Sequence, residues 1–148
     1  MTDVNDLYQE VILDHSKRPR NFHEMTDADR QAEGYNPLCG DRVKVYLKVR
    51  DDKVSDVSFK GSGCAISTAS ASIMTESLKG KTREEAEALF KVFHELVTGK
   101  RPEEGAELGK LAVFSGVSEY PTRVKCATLA WHTLMASLKG RGETVSTE

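Results

Sequence analysis

Residues 42–50, Arg-Val-Lys-Val-Tyr-Leu-Lys-Val-Arg, alternate strictly between apolar and polar side chains. Successive side chains of a β-strand point to opposite faces, so this pattern predicts a half-buried strand. Asp51-Asp52-Lys53 then form a turn, and Val54 to Lys60 are predicted to be the partner strand of a hairpin. The inward face of this hairpin carries Val43, Val45, Leu47, Val49, Val57 and Phe59.

Helical patterns flank this hairpin on both sides. Before it, a stripe at i, i+3, i+4 spacing predicts a helix that Asp3 caps and that runs to about Lys17. Residues 18–35 are interpreted as a long loop, although a third strand could lie between residues 27 and 36. After the hairpin, the predicted elements are a small-residue helix over Ala65–Lys79, a helix from the capping box at Thr82 to Gly99, a charged loop over 100–107, a helical turn over Leu108–Val117, and a helix from Pro121 to about Lys139.

This order of elements predicts an α+β fold, in which helices cover a small antiparallel sheet. No repeat or linker divides the chain. We therefore expect a single domain over residues 1–148, with 1–3 and 141–148 as loose ends.

Composition excludes several classes of protein. The formal charge of −2 argues against a general nucleic-acid binder, which would need a basic excess. No apolar stretch approaches the roughly 20 residues of a membrane span, and the acidic N-terminus does not have the pattern of a secretory signal. The three cysteines are odd in number and far apart, which speaks against a disulfide framework and predicts a reducing cytoplasmic location.

The residues around the three cysteines indicate metal binding or a nucleophilic role. Cys39 lies in a turn two residues before Asp41, Cys64 follows Gly-Ser-Gly ahead of a helix, and Cys126 lies near the start of another helix. Turns and helix N-termini stabilise thiolates, which serve both as metal ligands and as nucleophiles. Three thiolates and a carboxylate would suit tetrahedral zinc. The alternative for each cysteine is a small buried hydrophobe, and for Asp41 a turn residue that bonds its own backbone.

The histidines are not assigned as ligands. His15 lies near the end of the first helix, where a cation suits the helix dipole. His94 is expected to face solvent, and His132 to point away from Cys126 on its helix. Residues 61–63, Gly-Ser-Gly, lack the following Gly-Lys-Ser/Thr of a phosphate-binding loop.

Three cysteine motifs in this order resemble the U-type scaffold proteins of iron–sulfur cluster assembly, the IscU and NifU N-terminal domain family. They are Asn-Pro-Leu-Cys-Gly-Asp at 36–41, Gly-Ser-Gly-Cys-Ala-Ile-Ser at 61–67 and Arg-Val-Lys-Cys-Ala-Thr-Leu at 123–129. The opening segment 7–15 also resembles that family, and the resemblance covers about residues 5 to 139. It implies the fold of the IscU and NifU N-terminal domain.

Two departures from the IscU type indicate the SufU branch. Lys125 stands before the third cysteine where the IscU type has histidine, and extra residues fit roughly between Lys100 and Glu119. The chaperone-recognition motif of the IscU type is also missing at 119–123.

The SufU resemblance implies zinc held by Cys39, Asp41, Cys64 and Cys126. It further implies persulfide sulfur accepted from a SufS-type cysteine desulfurase, with Cys126 as the sulfur acceptor. Arg123 and Lys125 would orient the partner or the thiolate, and downstream iron–sulfur acceptor or scaffold proteins would receive the product. One alternative is a scaffold that assembles a transient [2Fe–2S] cluster on the same residues. Another is a non-enzymatic interaction module in which zinc has a purely structural role.

Overall fold

A three-stranded antiparallel meander forms the centre of the fold. The computed structural model describes residues 4–37, 39–99, 109–139 and 144–146. The strands are β1 (Arg30–Asn36), β2 (Asp41–Arg50) and β3 (Lys53–Ser62), and β2 lies between the other two. Val45 pairs with Phe59 and Leu47 with Val57, so the apolar face predicted for the hairpin is continuous across both strands. The α+β prediction is confirmed.

The third strand lies at the end of the segment interpreted as a loop. Its buried positions are Ala32, Gly34 and Asn36, which give no apolar signal in the sequence. A Cβ on Gly34 would lie 2.0 Å from Oγ1 of Thr133, so only glycine lets β1 approach the helix that carries Thr133 this closely. The small buried side chains therefore explain why the alternation of β1 is weak.

A short fourth strand, β4 (Thr144–Ser146), runs parallel to β1 and pairs with its residues 33–35. It lies within the segment 141–148 that the sequence predicts to be a loose end. The predicted cap Asp3, the loop 100–107 and residue Leu108 lie outside the described part of the chain.

The described residues form four α-helices and one 3₁₀ helix: α1 (Val4–Lys17), α2 (Ala65–Leu78), α3 (Arg83–Val97), η1 (Gly109–Glu119) and α4 (Pro121–Leu138). Of these, α2 and α4 make the main contacts with the sheet, and the others pack mainly against helices. The capping box predicted at Thr82 is present, with both reciprocal hydrogen bonds to Glu85. Within the described residues, no helix is long and apolar enough to span a membrane.

Helices α2 and α4 pack closely because α2 is built from small residues. Ser70 Oγ donates a 2.5 Å hydrogen bond to the carbonyl of Ala127 and accepts one of 3.1 Å from Nε1 of Trp131. The Trp131 ring stacks on Phe93, and Phe93 meets Phe114 edge to face. This aromatic cluster joins α3, η1 and α4, and α4 itself packs against β1 and β2.

His15 differs from its sequence-based expectation. The side chain is only 1% exposed, and its Nδ1 lies 2.7 Å from Oγ of Ser72 on α2. Burial lowers the pKa of His15, so the neutral imidazole stands where the sequence predicts a cation at the helix end. His94 is exposed, as expected.

Candidate metal centre

The turn between β1 and β2 brings Cys39 and Asp41 to one end of the sheet. Asn36 pairs with Asp41 across the two strands, and Gly40 has a φ of +71°, which glycine adopts at no steric cost. Cys39 is exposed at the tip, whereas Asp41 is fully buried. The burial of Asp41 therefore argues against the alternative of a turn residue that only bonds its own backbone.

Cys64 reaches the same end of the sheet from β3. It is the N-cap of α2, and its Sγ accepts a hydrogen bond of 3.4 Å from the backbone N–H of Ser67. Its own backbone N–H donates a 2.9 Å hydrogen bond to Oδ1 of Asp41. A Cβ on Gly63 would lie 2.6 Å from that same oxygen, so glycine is required just after β3, where the chain passes over the carboxylate.

Cys126 completes the cluster from the second turn of α4, where it is fully buried. Its Sγ lies 3.2 Å from Sγ of Cys39 and 3.6 Å from the carbonyl oxygen of Thr122. The ligand atoms of Cys39, Asp41 and Cys126 all lie within 4.8 Å of one another. Cys64 lies beside this trio, with its side chain in contact with that of Cys126.

This donor set fits a zinc ion. Two thiolates on one tetrahedral zinc, with Zn–S bonds of about 2.3 Å, lie roughly 3.8 Å apart, close to the observed spacing of Cys39 and Cys126. The carboxylate of Asp41 is buried among neutral hydrogen-bond donors, and a bound cation would compensate its charge. Thiolates also suit iron, so the residue types do not distinguish zinc from a cluster.

The cysteines differ in their acid–base character. The Cys126 thiol donates to Cys64, and this bond, with the backbone N–H of Ser67, lowers the pKa of Cys64 to about 6. The same interaction, together with burial, raises the pKa of Cys126. The exposed guanidinium of Arg123 lies beside both sulfurs. The negative charge of Cys64 raises the pKa of this guanidinium. The thiol of Cys64 is therefore more acidic than that of Cys126.

The residue that the sequence interpretation missed is Asn36. Its side chain is fully buried, and its Nδ2 lies 3.3 Å from Oδ2 of Asp41 and 3.6 Å from Sγ of Cys126. Asn36 was part of a turn signal in the sequence, and only its position opposite Asp41 in the register shows that it supports the ligands.

The two residues predicted to orient the partner or the thiolate, Arg123 and Lys125, lie in different environments. Arg123 is brought to the cysteines, as described above. Lys125 is half-buried next to Cys126, and the structure gives its ammonium group no hydrogen bond or ion pair within the described residues. Its orienting role stays a prediction.

A groove of about 740 Å³ opens beside Cys64. Its walls come from α1, the start of α2, η1 and the start of α4, and Tyr120 stands 60% exposed at its rim. The residues that line it next to the cysteine are mostly apolar, with Arg123 as the cation: Ile12, Ile66, Val113, Val117, Tyr120 and Arg123. The segment η1 lies within residues 100–119, where the resemblance to the SufU type predicts extra residues.

Known proteins match the chain over most of its length. The family profile described as NifU-like N terminal domain matches residues 7–127. The Streptococcus pyogenes serotype M1 protein named iron-sulfur cluster assembly scaffold protein IscU is 42% identical over 139 residues, covering 94% of this chain and 87% of its own. The Bacillus subtilis (strain 168) protein named zinc-dependent sulfurtransferase SufU is 42% identical over 132 residues, covering 89% of both chains.

Solved structures also match the chain over most of its length. A Fervidobacterium islandicum AW-1 protein, described as an iron-sulfur cluster assembly scaffold protein for the SUF system, superposes with a TM-score of 0.83 at 40% identity. The alignment covers 92% of this chain and 99% of that one. The N-terminal part of a NifU-like protein from Brucella abortus gives a TM-score of 0.80 at 25% identity, covering 93% and 96% of the two chains.

Proposed function

This chain belongs to the NifU-like N-terminal domain family, and from that premise we propose a function in iron–sulfur cluster assembly as a zinc-dependent acceptor of persulfide sulfur. The sulfur donor would be a SufS-type cysteine desulfurase. The observation that carries this proposal is the convergence of Cys39, Cys126 and the buried Asp41 at one end of the sheet. Cys64 lies in contact with Cys126, and the exposed guanidinium of Arg123 lies beside both sulfurs. The similarity to the B. subtilis protein named zinc-dependent sulfurtransferase SufU supports it.

Cys39, Asp41, Cys64 and Cys126 would hold the zinc. When bound, zinc keeps its thiol ligands deprotonated and has no redox chemistry of its own. Asn36 and the backbone N–H of Cys64 orient the Asp41 carboxylate toward the three sulfurs.

Sulfur transfer has the form of thiol–disulfide exchange. A thiolate of this chain attacks the outer sulfur of the donor's cysteine persulfide, a new S–S bond forms, and the donor's cysteine leaves as a thiolate. The positive charge of Arg123 would stabilise both the attacking thiolate and the persulfide anion that results. The groove beside Cys64 would give the donor segment access to the cysteines.

We assign the acceptor role to Cys126. Cys126 is fully buried, and its sulfur contacts Cys39, the cysteine that is exposed at the tip of the β1–β2 turn. Displacement of Cys39 by the partner would therefore open a path to Cys126. Cys64 is the second candidate, because it is partly exposed and faces the groove.

A second candidate function is that of a scaffold for a [2Fe–2S] cluster, which would pass to downstream acceptor proteins. The S. pyogenes and F. islandicum relatives named as scaffold proteins favour it. Three thiolates and one carboxylate could hold such a cluster, and a carboxylate ligand would make it easier to transfer.

The deciding experiment measures alanine production by a SufS-type desulfurase with zinc-loaded or metal-stripped protein, in the presence of a reductant. Acceleration by the zinc form alone would support a sulfur acceptor in which the metal takes part. If zinc blocks turnover, or has no effect while iron supports cluster formation and transfer to an apo-acceptor, the protein is a scaffold.

A further inference from the structure

A second pair of metal-binding side chains lies outside the cysteine cluster. His94 is on the last turn of α3 and His132 is on α4, and their ring centroids are 6.1 Å apart. At a rise of about 1.5 Å per residue, His132 lies roughly 9 Å along α4 from Cys126. The two imidazoles therefore form a separate feature of the surface.

The aromatic core fixes both rings. Phe90 meets His94 edge to face at 6.0 Å and His132 at 5.1 Å, and Phe90 itself stacks on Trp131 at 6.1 Å. Phe90 and His94 are one turn apart on α3, so α3 supplies both the support and one imidazole. Rings held in this way lose little freedom when they bind a ligand.

The imidazoles line an open pocket of about 370 Å³. Two carboxylates, those of Glu87 and Glu95, line it as well, against the single cation of Lys91. Within the described part of the chain, neither imidazole is recorded in a hydrogen bond or an ion pair. His94 is exposed and His132 is half-buried, and both lie in a pocket whose charged groups are mainly acidic.

The spacing of the rings suits one shared ion. With metal–nitrogen bonds of about 2.0–2.1 Å, two imidazoles on one metal have ring centroids roughly 5 to 6 Å apart. Imidazole is a preferred ligand of zinc, copper and nickel.

We propose that His94 and His132 together bind a divalent late first-row transition-metal ion such as zinc, at a site distinct from the cysteine cluster. Two protein ligands make the site weaker than the cysteine cluster, and its ion exchanges readily. Such a site would hold zinc on the protein in a labile form and would bridge α3 to α4.

The test uses intact protein whose cysteine cluster has first been filled with one equivalent of Zn²⁺. It is titrated with Ni²⁺, a paramagnetic probe, and followed by NMR of the histidine Cε1–H signals. We expect the signals of His94 and His132 to broaden at substoichiometric Ni²⁺, before that of the exposed His23, and excess Zn²⁺ to restore them. In His132→Asn the preferential broadening of His94 should disappear, whereas His23→Asn should leave both signals responsive.

Broadening of His23 at the same Ni²⁺ concentration as His94 and His132 would overturn the proposal, and so would unchanged broadening of His94 in His132→Asn. Circular dichroism of His132→Asn confirms that the fold is retained. Because Zn²⁺ already fills the cysteine cluster, Ni²⁺ reports on the histidine pair alone, and the result does not depend on whether the cysteines serve sulfur transfer or cluster assembly.

Discussion

The backbone N–H of Cys64 donates a 2.9 Å hydrogen bond to Oδ1 of Asp41, and it thereby joins two residues that are 23 positions apart. Asn36 binds the other carboxylate oxygen. The protein therefore orients the buried carboxylate with two neutral donors, without a salt bridge among the described residues. This arrangement leads to predictions for Asp41 and for its neighbours.

Replacement of Gly63 by alanine should weaken zinc binding. The new methyl group would lie 2.6 Å from Oδ1 of Asp41, so the carboxylate or the backbone between β3 and α2 must move. Loss of a group that orients a metal ligand costs about 10–100-fold in affinity. Competition with a chromophoric chelator measures this change. Gly116→Ala is the control, because a Cβ there meets nothing within 4 Å, and equal zinc affinities of the two variants would contradict the prediction.

Asn36→Ala should also reduce zinc affinity, by about 10–100-fold, because it removes the amide that contacts both Asp41 and Cys126. Asn21→Ala is a matched control. Asn21 is a partly buried asparagine that donates to Thr75 instead, away from the cysteines. The same chelator competition applies, and wild-type affinity in Asn36→Ala would show that the asparagine is dispensable for the site.

Asp41→Ala should prolong the lifetime of a reconstituted [2Fe–2S] cluster, if the site holds one. The carboxylate is the ligand that makes such a cluster labile, and its removal leaves the three thiolates. Decay of the visible absorption under anaerobic conditions gives the lifetime. Asp29→Ala serves as the control, because Asp29 binds the backbone of Val49 at the other end of β2. A shorter-lived cluster in Asp41→Ala would refute this role.

Cys126→Ala should abolish sulfur acceptance while much of the zinc remains bound, because three of the four proposed ligands are still present. Mass spectrometry after reaction with the desulfurase locates the persulfide, and metal analysis gives the zinc content. The comparison with Cys64→Ala separates the two candidate acceptors. Undiminished transfer by Cys126→Ala, with the persulfide on Cys64, would move the acceptor role to Cys64.

His15 should make stability depend on pH. Burial lowers its folded-state pKa below the value of 6.5 expected for the unfolded chain, so the unfolded state binds more protons between the two values. The free energy of unfolding should therefore fall as the pH drops below about 6.5, and it should level off below the folded-state pKa.

Urea denaturation between pH 8 and pH 5 measures this dependence. His15→Gln keeps a polar group near Ser72 and should flatten the pH profile, although the part that comes from His132 will remain. His23→Gln, at an exposed histidine, should retain the wild-type profile. Parallel profiles for wild type and His15→Gln would contradict the assignment.

Local sequence patterns were sufficient to predict most of the helices and strands. The alternation at 42–50, the capping box at Thr82 and the proline at the start of α4 each depend on neighbouring residues, and each is found as predicted. Strand β1 was harder to recognise, because its inward positions are Ala32, Gly34 and Asn36 and owe their burial to contact with other elements. His15 was misread for the same reason, since Ser72 and the packing of α1 on α2 decide its environment.

The sequence by itself determined which residues are candidates for the chemistry, because cysteines in turns and at helix starts are recognisable from their immediate neighbours. Only the tertiary structure decided how they meet. The register of β1 with β2 places Asn36 under Asp41, Gly63 leaves room for the carboxylate, and α4 delivers Cys126 to within 3.2 Å of Cys39. These relationships join residues far apart in the chain, and no local pattern records the packing that sets their distances.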